Sequence, residues 1–242
     1  YAPVELFKGF GQECAVLEEM PENFDKSDKI AHANLCGFGK SVIQAVLEGK
    51  VEELVLVNCC DSMRRVYDII ENTKKCKFLY MLDLPHEDNE CENIKFAQSI
   101  LRLKNAYERY SHRTFDRELF IKSFAKHESE RKPYIGLMGV HVSSILEKTI
   151  RENMQMDVEN MTCTSGRNLI ILQKDLRNMD DETLFLAYAE SLLGQMPCAR
   201  MNNNTRRNQL FLDPSLKGII YHTIKFCDYY GFEYASIKNN IK

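Results

Sequence analysis

Apolar positions along the chain fall into short blocks separated by polar turns, and the spacing inside the blocks alternates between helical and extended. Residues 1–20 form an amphipathic opening, with Pro3 at a helix start and Val4, Leu6, Phe7 and Phe10 ahead of Gly11. Gly39 to Glu48 carries helical spacing and leads through Gly49 into Leu54-Val55-Leu56-Val57. That unbroken, β-branched run fits a parallel strand buried on both faces. It ends at Asn58-Cys59-Cys60-Asp61, after which Ser62 to Asn72 reads as a helix capped by Asp61 or Ser62. Lys77 to Leu82 is a second strand closing at Pro85, and Glu92 to Tyr110 and Phe115 to His127 are charged outer helices.

The charged segment Lys126 to Lys132, ending at Pro133, marks a boundary, because the chain then restarts with the strand Tyr134-Ile135-Gly136-Leu137-Met138-Gly139. Helices are expected over Val142 to Asn153 and Asp180 to Leu193. A last strand, Gly218-Ile219-Ile220-Tyr221, empties into His222-Thr223-Ile224-Lys225-Phe226-Cys227-Asp228. The expectation is an α/β protein with two units, 1–132 and 133–242. Each unit carries a strand whose carboxyl end leads to a Cys-Asp pair, Cys60-Asp61 and Cys227-Asp228, and parallel α/β folds place ligands at carboxyl ends of strands.

Composition narrows the classes. With 242 residues, 44% hydrophobic and 28% charged, the chain can bury a real core. Its 35 acidic and 32 basic groups leave a net charge of −3, so no global cationic field exists to hold a nucleic acid. No apolar run approaches the roughly 18–20 residues that cross a bilayer, and Tyr1-Ala2-Pro3-Val4-Glu5 lacks the basic and apolar regions of a signal peptide. The expectation is a cytoplasmic protein with no membrane segment. Nine cysteines, an odd number, fit reduced thiols better than a disulfide framework.

No two cysteines show the two-residue spacing of a zinc ribbon or a local ferredoxin loop, so any metal site must be assembled by the fold. Cys36 lies ahead of the helix opened by Gly37-Phe38-Gly39, while Cys60 and Cys227 each follow a strand. Such places suit thiolates that hold an iron-sulfur cluster, and buried free thiols would occupy them as well. Arg200, Arg206 and Arg207 surround Asn202-Asn203-Asn204 in a basic loop that either grips a phosphate or carboxylate or is simply solvated. His222 and Lys225 flank the approach to Cys227, and Cys163 and Cys198 are either extra ligands or buried thiols. Gly136-Leu137-Met138-Gly139 lacks the glycine spacing of a dinucleotide site.

Pro3-Val4-Glu5-Leu6, Leu35-Cys36-Gly37-Phe38, Asn58-Cys59-Cys60-Asp61-Ser62-Met63-Arg64-Arg65, Gly218-Ile219-Ile220 and Lys225-Phe226-Cys227-Asp228-Tyr229-Tyr230-Gly231-Phe232-Glu233 together resemble the 2-hydroxyacyl-CoA dehydratase and benzoyl-CoA reductase family, D-component. The pieces fall in family order across nearly the whole chain. The resemblance implies two Rossmann-like lobes, parallel sheets flanked by helices, with a 4Fe-4S cluster in the cleft held by Cys36, Cys60 and Cys227. Cys59 is the rival for the second position; the family places the ligand directly before Asp, which favours Cys60.

The resemblance further implies a low-potential electron from an ATP-dependent iron-sulfur activator, an acyl-CoA substrate reduced to a ketyl radical that loses its hydroxyl, and Glu5 as the residue exchanging the β-proton. Gln195-Met196-Pro197-Cys198-Ala199-Arg200-Met201 and Tyr221-His222-Thr223-Ile224-Lys225 look like the single-subunit branch with double-cubane proteins, as does the short spacing from Cys36 to Cys60. In that branch a homodimer replaces the pairing with a related subunit. Family members continue past the position of Lys242, so the C-terminal lobe is expected to be incomplete. The rival readings are a double-cubane reductase of small molecules and a non-catalytic α/β binding or electron-carrier module.

Overall fold

The computed structural model describes residues 1–17, 20–124, 132–163, 176–195, 198–201 and 205–238. In chain order these form α1 (Val4–Lys8), α2 (Gly37–Leu47), β1 (Glu53–Val57), α3 (Asp61–Thr73), β2 (Phe78–Leu82), α4 (Glu90–Ser111) and α5 (Arg117–Lys122). They continue with β3 (Tyr134–Gly139), α6 (Ser144–Asn153), β4 (Asp157–Asn160), α7 (Asp181–Leu193), α8 (Thr205–Leu210), β5 (Leu216–His222) and α9 (Asp228–Ile237). All strand pairs are parallel. β1 pairs with β2 in one sheet, and β3 lies between β4 and β5 in a second.

Alternation along β1 explains the first layer. Leu54 and Leu56 face α2 and α3, where they meet Val42, Ile43, Val46, Val66 and Ile70. Val55 and Val57 face the opposite way, toward α4 and the aromatic core of Phe96, Phe120, Phe185 and Tyr188. Successive strand residues point to opposite faces, so a strand covered on both sides must be apolar throughout, as this one is. The second sheet is built alike. Tyr134 and Met138 pack against Leu210 of α8, and Leu137 and Ile135 against Val142, Ile150 and Val158 on the α6 side.

The division at residue 132 separates the two sheets but not the helices. α7 comes from the second half of the sequence and packs against α4, burying Leu184, Phe185, Tyr188, Ala189 and Leu192 in the core of the first half. α7 thereby shares the apolar core of the first half. Lys126–Arg131, which carried the boundary expectation, lies outside the described residues.

Three expectations change in detail. The helix after β1 is capped by Cys60, not by Asp61 or Ser62, because Cys60 keeps extended backbone while Asp61 has already entered the helix. α2 begins at Gly37, as the opening by Gly37-Phe38-Gly39 implies and two residues ahead of the helical spacing from Gly39, with Cys36 as its cap. Within Phe115 to His127, helix is described over Arg117–Lys122, capped by Asp116, and Ala125 onward lies outside the described residues. The short, polar strand β4 and the aromatic helix α9 had no clear signal. Asp157-Val158-Glu159-Asn160 has one apolar residue, and α9 carries Gly231 within it.

Two glycines set close approaches. At Gly39 a Cβ would stand 3.0 Å from Val66 Cγ2, so its absence lets α2 lie tightly on α3. Gly139 ends β3 with φ +100°, and a Cβ there would stand 2.1 Å from the carbonyl oxygen of His222. The same carbonyl accepts from Val140 N at 3.0 Å, which locks the ends of β3 and β5 together. Gly139→Ala is therefore expected to destabilise the fold by at least about 2 kcal/mol through combined clash and left-handed strain, read as a lowered urea midpoint.

Candidate functional site

Cys36, Cys60 and Cys227 each occupy the N-cap of a helix, α2, α3 and α9 respectively. Gly39 N donates to Cys36 Sγ and Met63 N to Cys60 Sγ, both at 3.4 Å. The Ser62 side chain, at the start of α3, also favours the ionised form of Cys36. Backbone N–H groups at a helix start carry partial positive charge, which favours the thiolate form of a sulfur placed there.

Local turns place these sulfurs. Asn58 N donates to Leu82 O at 2.8 Å and Cys59 N to Val57 O at 2.7 Å, while Arg64 Nε donates to Asn58 Oδ1 at 2.6 Å. The chain leaving β1 is thus held against β2 and α3 before it reaches Cys60. Ahead of Cys227, Phe226 sits at φ 66°, a left-handed conformation that costs a bulky L-residue roughly 1–2 kcal/mol. The strain is local to the turn that delivers the sulfur.

The three thiols lie close enough that each of Cys60 and Cys36 acts electrostatically on Cys227, and Cys60 on Cys36. Burial pushes Cys36 and Cys227 up, opposed by the N–H groups of Gly39 and Tyr230. Cys60 is pulled down, first by its hydrogen bond with the Cys59 thiol, then by Met63 N and the Arg200 charge. Cys59 is pushed well up by the same bond and by burial, so it is the protonated member of the pair. Charges of Cys163 and Cys198 also reach Cys59, and those of Cys60 and Cys227 reach Cys163. Among the described residues, no group of three or more His, Cys, Asp or Glu is arranged to hold a single metal ion. A multinuclear cluster asks for something different, since each thiolate binds its own iron.

Residues of both halves meet around these sulfurs. The Phe38 ring lies 4.5 Å from the His141 ring, centroid to centroid. His141 is 5% exposed, and burial with the nearby His222 holds its imidazole down to about 4. His222 Nδ1 stands 3.3 Å from Val140 O. Cys198 N donates to Tyr1 Oη at 3.0 Å, and Cys198 Sγ is 3.3 Å from Tyr230 Oη. Lys225 is described as exposed.

Glu5 stands on α1, where the buried Tyr188 hydroxyl donates to its Oε2 at 2.6 Å. Of the basic loop, Arg207 belongs to α8 and is buried in an ion pair with Glu233, its Nη2 donating to Oε2 at 2.6 Å. Tyr221 Oη donates to the same carboxylate. Arg207 is therefore a structural cation, neither solvated nor free to grip a ligand, a distinction that the sequence pattern around Asn202-Asn203-Asn204 does not carry. The asparagines and the Arg206 side chain lie outside the described residues. Arg200 lies over the Tyr229 ring, 3.3 Å from its centroid. No helix among the described residues is long and apolar enough to cross a membrane.

The family model for the 2-hydroxyglutaryl-CoA dehydratase D-component matches residues 1–140 and 124–242. A comparison with curated proteins finds no match.

In the metal-free reduced protein at pH 7, iodoacetamide is expected to label Cys60 faster than Cys59 or Cys36, checked by peptide mapping; equal rates would contradict the thiolate assignment. For His141, whose folded value is depressed below its unfolded value of about 6.5, the unfolded state binds more protons between those values. Stability is expected to be complete above pH 6.5 and to fall as the pH drops toward 4. His141→Gln should flatten that slope in urea titrations across the range.

Proposed function

Because the chain belongs to the 2-hydroxyglutaryl-CoA dehydratase D-component family, we propose that it takes part in eliminating water from a 2-hydroxyacyl-CoA, using a low-potential electron from an ATP-dependent iron-sulfur activator protein. The observation that carries this reading is the gathering of Cys36, Cys60 and Cys227, distant in sequence, at three helix N-caps within electrostatic reach of one another. The donor set fits an iron-sulfur cluster: three thiols, two of which accept backbone N–H groups, with a guanidinium acting on two of them. We assign Cys36, Cys60 and Cys227 as its ligands. Bound there, a 4Fe-4S cluster would supply one-electron transfer and Lewis acidity.

The chain's own groups do the remaining work. The N–H groups of Met63 and Gly39 favour the thiolate form at Cys60 and partly offset, at Cys36, the burial that pushes its thiol up. Phe38, two residues beyond Cys36, packs on the buried His141. Glu5 is the base we assign to the β-proton, its carboxylate oriented by Tyr188. The α-hydroxyl and the β-proton leave together as water, and the electron is returned at the end, so the net reaction is redox-neutral. A second copy of this chain or a related subunit completes the assembly, and 1–132 and 133–242 are the two lobes that enclose the site.

One observation favours a second reading, a double-cubane reductase of small molecules: Cys59, Cys163 and Cys198 lie in the same electrostatic neighbourhood as the three assigned ligands. Iron and sulfide analysis with spectroscopy on anaerobically purified protein separates the two, since the larger cluster carries twice the iron of one cubane.

Cys36→Ser, Cys60→Ser and Cys227→Ser are each expected to lose most of the bound iron, whereas Cys14→Ser retains it. Glu5→Gln should keep the iron and lower the elimination rate, assayed with activator and a 2-hydroxyacyl-CoA, by about 100-fold or more. Unchanged iron in all three serine variants would reduce the protein to a non-catalytic α/β module.

A further inference from the structure

Arg200 is held at both its side chain and its backbone. Its guanidinium carbon stands 3.3 Å from the centroid of Tyr229, a residue two positions beyond Cys227 on α9. Its backbone is pinned as well: His86 Nδ1 lies 3.2 Å from Arg200 O, and two residues earlier Cys198 N donates to Tyr1 Oη at 3.0 Å. Both anchors come from the N-terminal half of the chain. The cation is therefore fixed at backbone and side chain by elements of both halves, where a solvated loop arginine would be fixed at neither.

The placement brings a permanent positive charge to the thiol centre. The Arg200 charge acts on Cys60 at the start of α3 and on Cys227 at the start of α9, the two sulfurs that follow the strand ends of the two sheets. Arginine does not deprotonate in proteins, and a guanidinium stacked on an aromatic face loses water and rotamer freedom, which strengthens its field on neighbouring groups.

We propose that Arg200 is the positioning cation of the three-cysteine site, held by Tyr229 beside Cys60 and Cys227 to raise the reduction potential of the iron-sulfur group bound there. The inference rests on the iron-sulfur reading given above. Its physics is direct. Thiolates and sulfides give such a group net negative charge, and reduction adds another negative charge, so a fixed cation stabilises the reduced form more than the oxidised one. Removing the cation makes the group harder to reduce.

The experiment compares anaerobically reconstituted wild type, Arg200→Gln and Arg200→Lys by iron content and by midpoint potential in a spectroscopic redox titration. Arg200→Gln is expected to keep wild-type iron and to titrate at a more negative potential, while Arg200→Lys, which keeps the charge, stays near wild type. Loss of iron in Arg200→Gln together with its retention in Arg200→Lys also supports the charge role. Wild-type iron and an unchanged potential in Arg200→Gln would overturn the inference and leave the dehydratase reading intact, and so would loss of iron in both variants. Failure of the wild type itself to take up iron would instead remove the iron-sulfur reading on which the inference stands.

Discussion

A sulfur at a helix N-cap is held by the first N–H groups of the helix, and that interaction organises the chemistry-bearing part of this molecule. Cys36, Cys60 and Cys227 are each the last extended or irregular residue before a helix. For Cys36 and Cys60 the sulfur itself closes the cap, where a hydroxyl or carboxylate would ordinarily do so. Sulfur is the weaker acceptor, so these caps contribute less to helix stability than serine or aspartate would. What they provide is direction: a thiol whose position follows from the axis of a packed helix. The helix axes follow in turn from the sheet, through Gly39 against Val66 and the apolar faces of β1.

Much of this was readable in the sequence, because burial on both faces leaves a plain signature. The runs Leu54-Val55-Leu56-Val57 and Tyr134 to Gly139 became β1 and β3, and the parallel arrangement follows from strands separated by helices. The three cysteine positions could be picked out for the same reason, as ends of strands or starts of helices. Sequence reading failed where the energetics are tertiary. β4 is a strand because it lies along β3, not because Asp157-Val158-Glu159-Asn160 favours one. α9 forms with a glycine inside it, and its burial comes through Tyr230 and Ile237 rather than through a regular apolar stripe. Arg207 looked like part of a basic loop, yet its partner Glu233 is 26 residues away and no spacing rule joins them.

The pair formed by Arg207 and Glu233 also explains how α9 is oriented. A buried ion pair is costly to desolvate and gains its return from geometry and from further hydrogen bonds. Here the carboxylate accepts from Arg207 and from Tyr221 of β5, while Tyr221 also reaches Tyr230 O at 3.2 Å. Helix α9 is thereby fastened to the strand that precedes it and to α8. Tyr230, on the first turn of α9, stands against Cys198, whose backbone is held by Tyr1. A chain of polar contacts therefore runs from Tyr1 to the helix that carries Cys227.

Charge distribution gives the last constraint. Six cysteines, 36, 59, 60, 163, 198 and 227, lie in one electrostatic neighbourhood, and burial together with their mutual influence raises the resistance of Cys36, Cys59, Cys163 and Cys227 to ionisation. Left to burial alone, these four and Cys60 would remain protonated. Cys60 escapes because Cys59 donates to it, Met63 N points at it and Arg200 faces it. Neutral Cys59 and neutral His141 are as much a part of this arrangement as the thiolate, since each keeps its own charge out of a crowded region. A site of this kind concentrates ionisation on one sulfur before any metal arrives. The first thiolate then offers an entry point for iron, and each iron that binds lowers the cost of ionising the next sulfur.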